Sequence, residues 1–335
     1  MKVAIAGAGV AGRFLRRLMT RENSLIGENE IHIYDIGNQT ACRINPCGWM
    51  APSRYFDQLM KIAELDPALY ILQKHGKVEM GGKVFDAEVQ TINKPTLLND
   101  LWNPQDIIYG SPAINKYDRV IDCTGTQRAF LPPLPHDTVM SCVQLRGRPH
   151  EGQIPYPVIK FVNLGYAWAF PLGDFLHGCG CHIGCCSLLD KPMQELQKTG
   201  FLNLMATHEC GCAGGRVRLA GPRLSEPFFN NLHQDHEVWG CGESIGCVSP
   251  MIGEGIIPAM ECACRLIENW NSADDYATAV MRQFDWMNRE SMVMQHLLHG
   301  DPLSATEALT LADSASRFGA KIGLSEALDM IRMIL

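Results

Sequence analysis

"KVAIAGAGVAG", Lys2–Gly12, sets a short apolar run against three glycines spaced Gly-x-Gly-x-x-Gly. "RFLRRLMT" follows at helical spacing, and "EIHIYDIG" then reads as a second strand ending at Asp35. Strand, glycine turn, helix, strand and terminal acid make a βαβ unit. In such a unit Gly7 permits the tight turn and Gly9 lets a pyrophosphate approach the backbone. Gly12 lets the helix pack closely on the strand. The phosphates would meet unpaired N–H groups and the positive end of the helix dipole. Asp35 would accept hydrogen bonds from the adenosine ribose hydroxyls. The expectation is a dinucleotide site at the start of the chain.

A distant stretch bears on which dinucleotide. "GCGESIGCVSPMIGEGI", Gly240–Ile256, carries five glycines directly before the apolar run "IPAMECACRLIENW". Glycine in that quantity means unusual torsions or something lying against the backbone. A flavin needs an acid for its ribityl chain and a helix N-terminus near its pyrimidine ring. Gly242 and Glu243 supply the acid, and "PMIGEGI" supplies bare backbone at a helix start, with Pro258 tolerated in the first turn. This favours FAD, with its flat ring against the backbone of Gly253 and Gly255. The competing reading is a glycine-rich loop with an ordinary helix cap.

The composition bounds the rest. At 335 residues with 19% charged side chains, the chain can hold two domains or one large interleaved body. A net charge of -7 argues against a nucleic-acid partner and gives no support to a polybasic membrane anchor. No run approaches the length of a membrane-spanning helix, and the first residues read as a strand rather than a cleavable leader. The fourteen cysteines match no compact disulfide framework, so most are expected as thiols in a reducing cytosol.

Between the two glycine-rich regions the pattern changes to strands: "SCVQLRG", "YPVIKFVNL", "YAWAFPL" and "FLHGCGCHIG". The expected fold is α/β, a Rossmann-type FAD-binding domain with an inserted antiparallel-sheet substrate domain and a helical C-terminus. Residues 1–135 form the first part of the FAD-binding domain, with a small hairpin insertion near 76–92 around Gly81 and Gly82. Residues 136–225 form the sheet-rich domain, 226–270 the return segment and 271–335 the helical region. "CRINPCGWMAPSRYF" reads as loop, and "KPMQELQKTGFLNLM" as one helix.

Several segments together resemble one family. "HEVWGCGESIGCVSPMIGEGIIPAMECA" resembles the return segment of FAD enzymes with the p-hydroxybenzoate hydroxylase fold. "YDRVIDCTGTQRAFLPP" resembles that fold's middle FAD segment, with Asp118, Gly125 and Arg128 on recurrent positions. "GYAWAFP" is similar to the Tyr-x-Trp-x-Phe-Pro segment of the geranylgeranyl reductase branch, and "INPCGWM" to its active-site Cys-Gly loop. The resemblance spans about residues 1 to 270, thinly between motifs. Glu243 stands where the family has aspartate, and Cys-Gly-Trp replaces a more glycine-rich loop.

The resemblance implies an FAD-dependent oxidoreductase that passes hydride to a double bond of a polyprenyl lipid or similar apolar molecule. It adds Arg43 and Gly125 to the cofactor positions. The electron donor would be a nicotinamide, a deazaflavin or a ferredoxin-type protein, and a lipid substrate would imply peripheral contact with a bilayer. A flavin monooxygenase or halogenase shares the fold, but a halogenase needs a lysine near the ring, and its W-x-W-x-I-P pattern is absent. A non-catalytic flavin- or lipid-binding protein is the third class.

On the substrate side, Tyr166, Trp168 and Phe170 alternate along a strand and so share one face. That face is either ordinary core or the wall of an apolar tunnel. Cys47 is the candidate proton donor, since alkene reduction needs a proton at the second carbon. Its competing reading is a small residue filling space beside Pro46. Cys179, Cys181, Cys185, Cys186, Cys210 and Cys212 lack the usual structural metal spacing, and no metal is expected there. His177 and His182 flank that strand and read as structural or solvated.

Overall fold

The computed structural model describes residues 1–21, 29–37, 47–134, 137–173, 180–210, 214–230, 236–323 and 325–327. Two sheets organise it. The first has six strands in the order Phe229–Asn230, Glu237–Gly240, Arg119–Asp122, Lys2–Ala6, Glu30–Asp35, Ile107–Tyr109. All its pairings are parallel except that of Phe229–Asn230 with Glu237–Gly240. Its central strands are continuous apolar runs because both faces are covered; Val3, Ala4, Ile5, Val120 and Ile121 are fully buried.

Register fixes where a ligand could sit. Ala6 pairs with both Tyr34 and Asp122, and Asp122 pairs with Gly240. The turns after these strands therefore emerge side by side at the carboxyl edge, where open α/β sheets bind ligands. Backbone bonds tie them: Cys123 N–H donates to Ala6 O at 2.8 Å, and Cys241 N–H to Asp122 O at 2.9 Å.

The second sheet has nine strands and is mostly antiparallel. It runs Met205–Cys210, Val139–Pro149, Cys181–Ser187, Gly165–Pro171, Val158–Val162, Ile71–Met80, Lys83–Ile92, Met50–Pro52, with Gly215–Arg218 also on Val139–Pro149. The hairpin around Gly81 and Gly82 is longer than the sequence suggests. It belongs to this sheet through a parallel pairing of Glu79 and Met80 with Val158 and Ile159. Its two glycines take φ of +57° and +81°, as a two-residue hairpin turn requires.

Two local readings change. "SRYFDQLMKI", Ser53–Ile62, is a helix rather than loop, and it buries Phe56, Leu59 and Met60 at spacings of three and one. The stretch after Lys191 is a short helix, Pro192–Lys198, then a separate 3-10 turn at Phe201–Leu204, broken by Gly200 at φ +79°. Beyond helix Ile256–Glu268 come the expected C-terminal helices Ala273–Gln283, Asp285–His299 and Ala305–Arg317. The last carries a capping box between Ser304 and Glu307. No described helix is long and apolar enough to cross a membrane.

Candidate active site

The first glycine turn is built as its spacing predicts. Gly7 takes φ +103°, and a Cβ there would stand 2.3 Å from Cys123 O. A Cβ on Gly12 would stand 1.9 Å from Gly7 O, so only glycine lets this helix sit so close. At Gly9 the opposite holds: nothing lies within 4 Å of the added carbon. Helix Val10–Arg21 starts there, and its first amides have no partner within the helix, the setting in which an anion binds. Asp35 accepts Ala8 N–H at 2.8 Å through Oδ2 and Gly37 N–H at 2.9 Å through Oδ1. Each oxygen keeps a lone pair for a further donor. Arg43 lies outside the described residues.

Gly242 joins the distant segment to this turn. At φ +74°, its missing Cβ would come 2.8 Å from the Ala11 methyl and 3.6 Å from that of Ala259. The starts of helices Val10–Arg21 and Ile256–Glu268 therefore meet across it. Its N–H donates to Cys262 Sγ at 3.2 Å. Next to it, Glu243 Oε1 accepts Arg218 N–H at 2.8 Å and Thr126 Oγ1–H at 2.7 Å. Glu243 Oε2 makes no hydrogen bond among the described residues, and it would lie 3.0 Å from a Cβ on Gly125, which takes φ +61°. Burial pushes this carboxyl up, while the Arg218 amide, the Thr126 hydroxyl and the charges of Arg218 and Lys94 pull it back.

Arg128, one of the recurrent positions, is spent on structure. Its guanidinium donates to the carbonyls of Pro132, Ser225, Ser244 and Pro227, tying the middle segment to the return segment. Asp118 accepts Lys2 N–H at 2.6 Å.

In the direction a side chain would take, the glycines before helix Ile256–Glu268 meet protein. A Cβ on Gly253, at φ +64°, would lie 2.0 Å from Tyr166 Oη, and one on Gly255 would lie 3.0 Å from Val248. Glu254 Oε1 accepts Ile257 N–H at 2.9 Å and so caps this helix. Burial pushes the Glu254 carboxyl up to about 8. It lines a small, half-open pocket with Ser249, Glu261, Trp286 and Arg317. Behind it Glu290, 1% exposed, accepts Ser249 Oγ–H at 2.8 Å and is pushed up to about 7 by burial.

Tyr166, Trp168 and Phe170 share one sheet face, as their alternation predicts, and all three are buried in an apolar cluster with Ile159, Met140 and Val248. The Cys47–Gly48 turn lies on this face. A Cβ on Gly48 would meet the Phe170 ring at 2.5 Å, and Cys47 N–H donates to Gln144 Oε1 at 3.0 Å. Cys47 itself is a free, half-buried thiol. His182 stands opposite Phe170, bonds the Gly48 backbone and packs edge-on against Trp49 at 4.5 Å. Burial holds its pKa down at about 3, so the ring is neutral.

The cysteine group divides. Cys179 and Cys212 lie outside the described residues. Cys181 and Cys185 are buried on the face away from Tyr166, with Ile183 between them. Cys186 is disulfide-bonded to Cys142, directly opposite it on the neighbouring strand; the sequence reading of small buried packing residues missed this pair. Among the described residues no group of three or more histidine, cysteine, aspartate or glutamate side chains could hold a metal ion. His177 is outside the described residues.

Lys94 is a residue that sequence reasoning did not find. Its positive charge acts on both Glu243 and His182, lowering the pKa of each.

No family model matches the chain. It is 23% identical to an uncharacterised protein of Methanocaldococcus jannaschii, over 87% of this chain and 88% of that one. Among solved structures it is similar to a geranylgeranyl bacteriochlorophyll reductase-like protein of Thermoplasma acidophilum. The TM-score is 0.71 at 16% identity, covering 98% of this chain and 95% of that one. It is also similar to a flavin-dependent halogenase of Xanthomonas campestris, with a TM-score of 0.64 at 10% identity over 99% and 94% of the chains. The fold is that of p-hydroxybenzoate hydroxylase-type flavoproteins. The residues at the sheet edge fit FAD: open space at Gly9, and an acceptor oxygen on Glu243 with no donor among the described residues.

Proposed function

We propose that this chain is an FAD-dependent oxidoreductase that reduces carbon–carbon double bonds of an isoprenoid, geranylgeranyl-type or other apolar molecule. The observation that carries the reading is the contact of Gly242 with Ala11, which sets two helix starts and the Glu243 carboxylate around one opening. The amides after Gly9 would hold the diphosphate, Asp35 the ribose and Glu243 Oε2 a ribityl hydroxyl. Reduced FAD bound there would supply hydride. Tyr166, Trp168 and Phe170 line the substrate's path and exclude water. Cys47 gives the proton to the second carbon and regains it from solvent, which its partial exposure permits. A nicotinamide, deazaflavin or ferredoxin-type donor supplies the electrons, and a lipid substrate is met at a bilayer surface.

The test is anaerobic. Holoprotein reduced by light and then mixed with geranylgeranyl lipids should reoxidise in step with a product two hydrogens heavier. Reduced protein that ignores every alkene but forms a hydroperoxide with oxygen contradicts the reading. That result would favour the second reading, a monooxygenase or halogenase, for which the charge that Lys94 exerts on Glu243 and His182 speaks.

A further inference from the structure

Among the described residues, nothing accepts the indole N–H of Trp168. The side chain is 4% exposed, and its Nε1 is buried without a hydrogen-bond partner. The ring lies flat over Gly184 on the neighbouring strand, where a Cβ would come within 2.2 Å of it. Tyr166 and Phe170 flank it at centroid distances of 5.9 and 6.3 Å. Held on three sides, the indole cannot turn to find an acceptor elsewhere. Its nitrogen faces the Cys47–Gly48 turn, 3.4 Å from where a Cβ on Gly48 would stand. Gln144 Oε1 receives Cys47 N–H at 3.0 Å and no bond from the indole.

A buried donor left unpaired costs about 1–3 kcal/mol. A wall made only for hydrocarbon would hold phenylalanine here and avoid that cost. We infer that the Trp168 N–H receives an acceptor oxygen of the substrate, so the molecule bound beside Cys47 is an apolar alkene with a carbonyl next to its double bond. This rests on the reductase reading above. A hydrogen bond to that oxygen draws electron density from the conjugated double bond, which makes its far carbon a better hydride acceptor. A flavin carbonyl is the other oxygen such an N–H could serve, and the experiment separates the two.

The probes are a saturated long-chain methyl ketone and the hydrocarbon of equal length, neither of which can be reduced as an alkene. Wild-type holoprotein labelled with ¹⁵N at its six tryptophans is titrated with each. One indole signal should move downfield with the ketone and none with the hydrocarbon. Trp168→Phe should lack that signal, weaken the ketone about tenfold more than it weakens the hydrocarbon, and keep the flavin spectrum. If no signal moves, or if Trp168→Phe binds the ketone as wild type does, the inference is overturned. A variant that shifts the flavin spectrum and potential but not ketone binding assigns the donor to the cofactor, which overturns the inference and leaves the reductase reading standing. Protein that takes up no FAD defeats the reductase reading instead. If Trp168→Phe does not fold, the wild-type titration alone decides.

Discussion

A Cβ built on Gly242 would stand 2.8 Å from the Ala11 methyl, although 231 positions (242 − 11) separate the two residues. The site depends on this contact, because it brings Glu243 and the start of helix Ile256–Glu268 up to the first glycine turn. Gly242→Ala should therefore part the two helix starts and also strain a residue at φ +74°. The expected result is a loss of about 1–3 kcal/mol of stability together with weakened FAD binding. Denaturant unfolding checks the first, and an unchanged midpoint would show that the packing is looser than described.

Gly9 and Gly12 should respond in opposite ways. A side chain at Gly9 meets no protein atom within 4 Å, whereas one at Gly12 strikes Gly7 O. Gly9→Val is expected to fold normally and fail to bind FAD, and Gly12→Val to fail at folding. Circular dichroism and flavin absorbance measured on both variants decide this; full FAD occupancy in Gly9→Val would misplace the diphosphate.

Tyr166 and Gly253 form a coupled pair. Gly253→Ala drives a methyl into the Tyr166 hydroxyl and costs about 1–3 kcal/mol. Tyr166→Phe removes the offending oxygen, so the double variant should recover part of the loss, leaving the cost of the positive φ. Additive single effects in a double-mutant cycle would deny the contact.

Stability should fall as the medium turns alkaline. Burial raises the folded-state pKa of Glu290 to about 7 and of Glu254 to about 8, from 4.5 in the unfolded chain. The folded state then binds more protons than the unfolded state between about pH 4.5 and 8, so the stability these groups allow is fullest below 4.5 and declines through that window. Melting temperatures should drop from pH 7 to 9, above the range in which the buried neutral His182 and His75 act in the opposite sense, and Glu290→Gln should flatten part of the slope. A variant as steep as wild type would place the proton uptake elsewhere.

Cys47→Ser should slow product formation while leaving flavin reduction at its wild-type rate. Single-turnover kinetics separates the two steps, and unchanged product formation would remove Cys47 from the reaction.

Where the signal is local, the sequence carried it. The βαβ unit and the return segment were legible because glycine spacing, apolar runs and the helix start at Ile256 all fall within a few residues of one another. Even helix Ser53–Ile62 left a trace in the spacing of Phe56, Leu59 and Met60, masked by the Pro-Cys-Gly-Trp run before it. What could not be read depends on tertiary contact. The pairing of Met80 with Ile159, the charge of Lys94 acting on Glu243 and the unpaired N–H of Trp168 arise only when segments far apart in the chain come together. The glycines at 253 and 255 show the same limit. Their number signals close approach, yet Tyr166 and Val248 are the groups that approach.

The most direct measurement is of the cofactor itself. Purified protein incubated with excess FAD, freed of unbound flavin and then denatured should release one FAD per chain, identified by mass, and Glu243→Gln should release markedly less. A colourless protein that releases none after such incubation would contradict the account at its centre.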